Sequence, residues 1–184
     1  MIKRNAIFLD RDGTINIEKN YLYKIEDWEW IPGAIEAICS FRGAGYAVVI
    51  VTNQAGIARG FYSEEDLLRL NKFISEQLAA YGTRIDAFYH CPHHPEFTGE
   101  CECRKPKAGM LLRAAEELNL DLTQSWMIGD QITDIQAAEA AGVKSLMVRA
   151  GYGAGDSIKI PSATLIFPAI SDMAAYVINL TQKT

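Results

Sequence analysis

An α/β domain with a central parallel sheet flanked by helices is predicted by three features of the sequence. Apolar β-prone runs alternate with helix-period segments, each run is of strand length, and several runs end on a polar residue able to do chemistry. The first strand is AIFLD, followed by the helical pattern PGAIEAICSFRGAG and a second strand, YAVVIVT. In SEEDLLRLNKFISEQLAAYG, Ser63 and Asp66 stand in capping-box spacing, Leu67, Leu70, Ile74 and Leu78 share one face, and Gly82 ends the helix. IDAFYH, AGMLLRAAEELNL, SWMIGD, TDIQAAEAAG and KSLMVR continue the alternation, and a strand at Ala163 to Phe167 and a helix from Ile170 complete it. There is no internal repeat. The stretches between Asp12, Thr52 and Lys105 are accounted for by a helix, a strand and loops, so residues 1–184 read as a single domain whose lid, if any, is made of loops.

Composition excludes several function classes. The longest apolar run, Tyr46 to Val51, is far too short to cross a bilayer, and MIKRNAIFLD fits neither a secretory nor a transit leader. The expected location is the cytoplasm, where four cysteines are free, catalytic or metal-bound rather than paired. A net charge of −5 with no Lys/Arg stripe argues against nucleic acid.

The polar strand ends carry the chemistry. FLDRDGTI places Asp10 and Asp12 on the same side as the first strand runs out, and Gly13 lets the chain turn away above them. Thr52 and Asn53 offer a hydroxyl and an amide that can donate to a phosphate, Asp130 an acid that could join a metal, and Lys105 a compact positive charge. Each also has a bland reading, as a turn residue, a strand terminator or a solvated lysine. In an α/β sheet, ligands bind at the carboxyl ends of the strands, which is where all of these residues fall.

The stretch HCPHHPEFTGECECRKP holds every histidine and three of the four cysteines. Cys91-x-His93 and Cys101-x-Cys103 make two short ligand pairs, and three thiolates with one imidazole suit a closed, structural Zn²⁺ site in the loop 91–103, with His94 as the rival to His93. Such a clamp would fix the loop that aims Arg104 and Lys105. Cys39 reads as a small buried hydrophobe, and Trp28 and Trp30 as packing for the loop before the first helix.

FLDRDGT, VVIVTNQ, CRKPK and IGDQITD together resemble the four motifs of the haloacid dehalogenase (HAD) superfamily of phosphotransferases, over Ile7 to Arg149. The resemblance implies a Rossmann-like fold without a large cap domain. It also implies that Asp10 is a nucleophile forming an aspartyl phosphate and Asp12 the general acid and base. Mg²⁺ would be held by Asp10, the Asp12 carbonyl and Asp130, with Lys105, Thr52 and Asn53 covering the phosphoryl oxygens. It selects His93 as the zinc ligand. VTNQAGIARG, CPHHP and CECRKPKAGML are similar to a branch acting on a seven-carbon sugar bisphosphate. In that branch Glu18 to Tyr21 would contact the sugar, and Arg104 a second phosphate or sugar hydroxyls. A histidinol-phosphate branch shares the cysteine loop and is the alternative, with a non-catalytic zinc-stabilised module as a third reading. Gln131 stands where the first branch often carries lysine. Asp134 could support the site but reads better as starting a helix with Thr133. The expected partner is a small-molecule sugar phosphate, met by a monomer.

Overall fold

The structure is a computed structural model that describes residues 3–149 and 164–181. Strands β1 (Arg4–Leu9), β2 (Ala47–Asn53), β3 (Ala87–Cys91), β4 (Leu120–Gly129), β5 (Lys144–Val148) and β6 (Leu165–Phe167) form one parallel sheet in the order β3-β2-β1-β4-β5-β6. The helices are α1 (Ala34–Gly43), α2 (Glu64–Ala79), α3 (Pro95–Thr98), α4 (Gly109–Glu117), α5 (Ile132–Ala141) and α6 (Ile170–Thr181). The predicted fold class is the one observed.

The two-residue period of the strands divides their side chains between two cores. Ile7 and Leu9 of β1, Val48 and Ile50 of β2 and Ile128 of β4 pack with α1, α2 and α6. Ala6 and Phe8, Val49 and Val51, and Met127 point the other way, against Met110, Leu111 and Ala114 of α4 and Ala137 and Ala138 of α5. Burial on both faces is why these strands read as continuous apolar runs. Each fully buried Leu, Ile or Phe contributes roughly 1.5–3 kcal/mol.

α2 begins as its sequence predicts, with the Ser63 N–H donating to Asp66 Oδ2 at 2.8 Å and the Asp66 N–H to Ser63 Oγ at 3.2 Å. Trp28 and Trp30 meet edge-to-face at 5.1 Å and pack on the core, as expected, whereas Cys39 is only half-buried. The helix expected across AGMLLRAAEELNL stops earlier, at Glu117. Asn119 takes a positive φ of 52°, which an asparagine tolerates, and Leu120 and Asp121 then pair with Arg4 and Asn5 as the start of β4. β4 bulges before Trp126, where the Ser125 hydroxyl accepts the Ala6 N–H at 2.8 Å in place of a strand partner. The strand expected from Ala163 begins at Leu165, Ala163 itself lying outside the described residues.

From β1 the chain proceeds outward to β2 and β3, then returns to β4 on the other side of β1. The crevice between β1 and β4 is therefore the topological switch point, where such sheets bind ligands.

Candidate active site and metal centre

Leu9 lies in register with Ile50 of β2 and Ile128 of β4, so the residues just beyond these positions converge on one rim. Carboxylate oxygens of Asp10, Asp130 and Asp134 lie within 4.8 Å of one another there, all three side chains buried. Lys105 reaches into the same cluster, its ammonium 2.8 Å from Asp10 Oδ1 and 2.6 Å from Asp134 Oδ1, while donating to the Val51 carbonyl at 2.8 Å. Those three acceptors match the three ammonium protons. Asn53 clamps the Lys105 backbone, donating to its carbonyl and accepting from its N–H, both at 3.0 Å. Its oxygen and one of its two amide protons are thus engaged with the chain, and Asn53 also lines the cavity beside Asp12.

Three acids share one ammonium, and the charge imbalance shows in their proton affinities. Burial, reinforced by Asp134 and Asp130 and opposed by Lys105, pushes Asp10 up to about 8. Burial and the neighbouring Asp134 raise Asp130 to about 7. Burial alone would lower Lys105, but Asp10 and Asp134 outweigh it and the lysine is raised, so it stays charged.

Asp134 starts α5, but with Gln131 rather than Thr133. Its Oδ2 accepts the Gln131 N–H at 3.0 Å while Oδ1 faces Lys105. Oδ1 makes that ion pair but no directed hydrogen bond, so Asp134 stands with Asp10 and Asp130 among the acids whose oxygens could hold a cation. Asp10 spends one oxygen on Lys105, and Asp130 Oδ1 is buried without a hydrogen-bond partner among the described residues. An all-oxygen, net-negative cluster with an orphaned carboxylate oxygen fits a hard divalent cation such as Mg²⁺.

Asp12 has a separate environment. Arg11, fully buried, grips its carboxylate through Nε at 3.1 Å and Nη2 at 2.9 Å, and Asn16 Nδ2 and Gln54 Nε2 each donate to it at 3.0 Å. Gln54 also donates to Thr52 Oγ1 at 2.9 Å and accepts from Tyr62 at 2.5 Å. Thr52 accepts from Gln54, so its own hydroxyl proton remains to be donated elsewhere. Asp12 lines a cavity of about 310 Å³ together with Glu18, Tyr21, Arg59, His94 and Arg104. Burial and the charge of Asp12 raise Glu18, and Tyr21 packs edge-on against Phe61 at 4.9 Å. Sequence reasoning passed over Arg11, Gln54 and Arg59. All three lie beside or within the quoted motifs, but nothing in their spacing shows which way they point.

The cysteine loop closes on itself. Cys91, His93, Cys101 and Cys103 each bring a ligand atom within 4.8 Å of the others. The sulfur separations are 3.6 Å for Cys91–Cys101, 3.0 Å for Cys91–Cys103 and 3.6 Å for Cys101–Cys103, and His93 Nδ1 is 3.3 Å from Cys103 Sγ. A disulfide needs about 2.05 Å, whereas tetrahedral Zn–S bonds of about 2.3 Å put sulfurs about 3.8 Å apart. Burial pushes the Cys91 and Cys103 thiols up, so three thiolates here call for a cation among them. His94, the rival ligand, turns away toward Arg59, Nε2 to Nη2 at 3.1 Å.

A HAD-hydrolase-like family model matches residues 102–173. The chain is 45% identical to a D-glycero-beta-D-manno-heptose-1,7-bisphosphate 7-phosphatase of Photorhabdus laumondii, over 91% of this chain and 92% of that protein. It is 47% identical to a D-glycero-alpha-D-manno-heptose-1,7-bisphosphate 7-phosphatase of Campylobacter jejuni, over 80% of this chain and 83% of that one. Among solved structures it resembles the D,D-heptose 1,7-bisphosphate phosphatase of B. bronchiseptica, complexed with magnesium and phosphate, with a TM-score of 0.87 and 32% identity over 98% of this chain and 99% of the other. With its acid cluster at the switch point of a parallel sheet and relatives of this identity and coverage, the chain belongs to the HAD-like hydrolases, in the family of heptose-1,7-bisphosphate 7-phosphatases.

Proposed function

We propose that the chain removes the 7-phosphate of D-glycero-D-manno-heptose 1,7-bisphosphate through an aspartyl phosphate on Asp10. The observation that carries this reading is the Asp10–Lys105 contact of 2.8 Å beside Asp130, adjoining a cavity lined by Asp12. An Asp10 carboxylate oxygen attacks phosphorus, the P–O bond to the sugar breaks, and Asp12 gives its proton to the departing alkoxide. Asp12, now ionised, takes a proton from the attacking water, whose oxygen bonds to phosphorus as the acyl phosphate P–O bond to Asp10 breaks. Lys105 offsets the charge of Asp10 against that of the incoming ester, and the Thr52 hydroxyl donates to a phosphoryl oxygen. Asp10 and Asp130, with the Asp12 carbonyl, would hold Mg²⁺, which supplies charge neutralisation for the phosphoryl group. Cys91, His93, Cys101 and Cys103 would hold a structural Zn²⁺. The enzyme would work as a single-domain cytoplasmic monomer.

Histidinol phosphate, which carries an ammonium group and a single phosphate, is the alternative substrate, and the cavity sets Arg59 and Arg104 beside Asp12 and Glu18. Turnover of a panel of purified phosphate esters, with and without Mg²⁺, tests the reading. We expect heptose 1,7-bisphosphate to be preferred and Asp10→Asn to lose about 10³-fold or more in kcat with zinc content unchanged. A large preference for histidinol phosphate overturns the substrate, and retained activity in Asp10→Asn overturns the nucleophile.

A further inference from the structure

Arg11 is the largest fully buried side chain among the described residues, and no step of the proposed reaction touches it. Its donors go to three acceptors. Nε and Nη2 both reach the Asp12 carboxylate, at 3.1 and 2.9 Å, and Nη2 also donates to the Leu22 carbonyl at 2.8 Å and to Gln54 Oε1 at 3.2 Å. Nη1 is buried without a hydrogen-bond partner among the described residues. A buried donor left unpaired is costly, and replacing a buried ion pair by well-packed apolar groups is often neutral or stabilising. Stability alone therefore gives little reason for an arginine at this position.

What the guanidinium does is fix where Asp12 stands. Asn16, also fully buried, brings a second donor, its Nδ2 lying 3.0 Å from Asp12 Oδ1 and 3.1 Å from the Ile17 carbonyl. The turn that carries both residues is wound on the Arg11 carbonyl, which accepts the N–H groups of Thr14, Ile15 and Asn16. Through Leu22 the guanidinium reaches the loop in which Asn20 and Tyr21 take positive φ of 51° and 60°, and through Gln54 it reaches the chain just past β2. The Asp12 carboxylate is thus tied to three segments of chain at once. Asp12 lines the cavity, but neither Arg11 nor Asn16 does, so a ligand there meets the acid and not its two supports.

We propose that Arg11, with Asn16, is the positioning residue for Asp12. It holds the carboxyl group against the leaving oxygen of the ester, where the proton passes from Asp12 to the sugar oxygen as the P–O bond breaks. The inference rests on the proposed role of Asp12 as general acid. General acid–base catalysis contributes about 10²–10⁴-fold, and a misplacement of about 1 Å forfeits about 10²-fold. A lysine does not replace the guanidinium, because an ammonium has no planar fork to grip both carboxylate oxygens while reaching Leu22.

The test uses leaving groups that differ in their need for a proton. A sugar alkoxide needs one as it departs, whereas p-nitrophenolate leaves as a stable anion. The comparison is made in kcat/KM, which covers the steps through P–O cleavage and not the later hydrolysis of the aspartyl phosphate. We expect Arg11→Lys to lower kcat/KM by about 10²-fold for heptose 1,7-bisphosphate and by less than about threefold for p-nitrophenyl phosphate. Asp12→Asn, assayed beside it, should show the same selective loss. If Arg11→Lys does not fold, Asn16→Ala takes its place, with a selective loss of about tenfold. No loss in the Arg11 or Asn16 variant, or a loss shared equally by the two esters, overturns the positioning role, and a selective loss in Asp12→Asn then leaves the general acid standing. An Asp12→Asn that loses both esters equally overturns the acid assignment and this inference with it.

Discussion

Asn53 holds Lys105 by the backbone, its side-chain amide bonded to both the N–H and the carbonyl of the lysine at 3.0 Å. The lysine ammonium is therefore aimed by a residue at the end of β2, across 52 positions of chain. Asn53→Ala leaves the ammonium in place chemically but frees the peptide that carries it. A misplacement of about 1 Å in such a site costs about 10²-fold. We expect kcat to fall by about that factor with zinc content intact, measured by steady-state kinetics and metal analysis. A kcat unchanged in Asn53→Ala would mean the cysteine loop alone positions Lys105.

Gly13 has a φ of +79°, and a Cβ built on it would lie 2.4 Å from Asp130 Oδ2 and 2.7 Å from its Cγ. Asp130 cannot retreat freely, since it is buried and its Oδ2 takes Gln131 Nε2 at 2.9 Å. Gly13→Ala should displace the carboxylate, destabilise the fold by about 1–3 kcal/mol, and raise the Mg²⁺ concentration needed for half-maximal activity. An unchanged Mg²⁺ requirement would show that Asp130 is not a cation ligand.

How much of this was legible follows from which signals are local. Strand period, the Ser63–Asp66 cap and the polar strand ends are written in neighbouring residues, and each is present in the structure. Asp134 sits four places after Asp130, a spacing that allows a supporting acid but reads first as a helix start. Only the fold brings Lys105 to the oxygen that the cap leaves over. Arg59 was hidden for a related reason, because its partners Phe97 and His94 belong to a loop more than thirty residues away in sequence. The early start of β4 was missed because Leu120 and Asp121 are ordered by pairing with Arg4 and Asn5, not by their own alternation.

Cys101→Ser removes one ligand from a site whose members span two arms of a loop, Cys91 and His93 on one and Cys101 and Cys103 on the other. Zinc bound there as proposed would contribute its binding energy to folding, so its loss should cost at least about 2 kcal/mol, or about 4–8 °C in Tm for a chain of this size. Activity should fall with it, because Arg104 and Lys105 follow the last ligand directly. Thermal melting and zinc content measured on the same sample decide the matter, and full zinc occupancy in Cys101→Ser would remove Cys101 from the site.

The acid cluster makes the response to Mg²⁺ depend on pH in a definite direction. Asp10 and Asp130 are raised to about 8 and about 7 from 3.8, so between those values the folded protein keeps protons that the unfolded chain has lost. The unfolded state binds fewer protons in that window, and the Mg²⁺-free protein therefore loses stability as pH rises through it. A cation bound to these carboxylates requires their ionised form, so its affinity rises over the same range and offsets the loss. The increase in Tm on adding saturating Mg²⁺ should accordingly be small near about pH 6 and larger near about pH 8.5. Asp130→Asn, which takes one of the two acids out of the balance, should flatten the trend. A Mg²⁺-dependent shift of equal size at both pH values in the wild type would mean that the cation binds somewhere other than the Asp10–Asp130 pair.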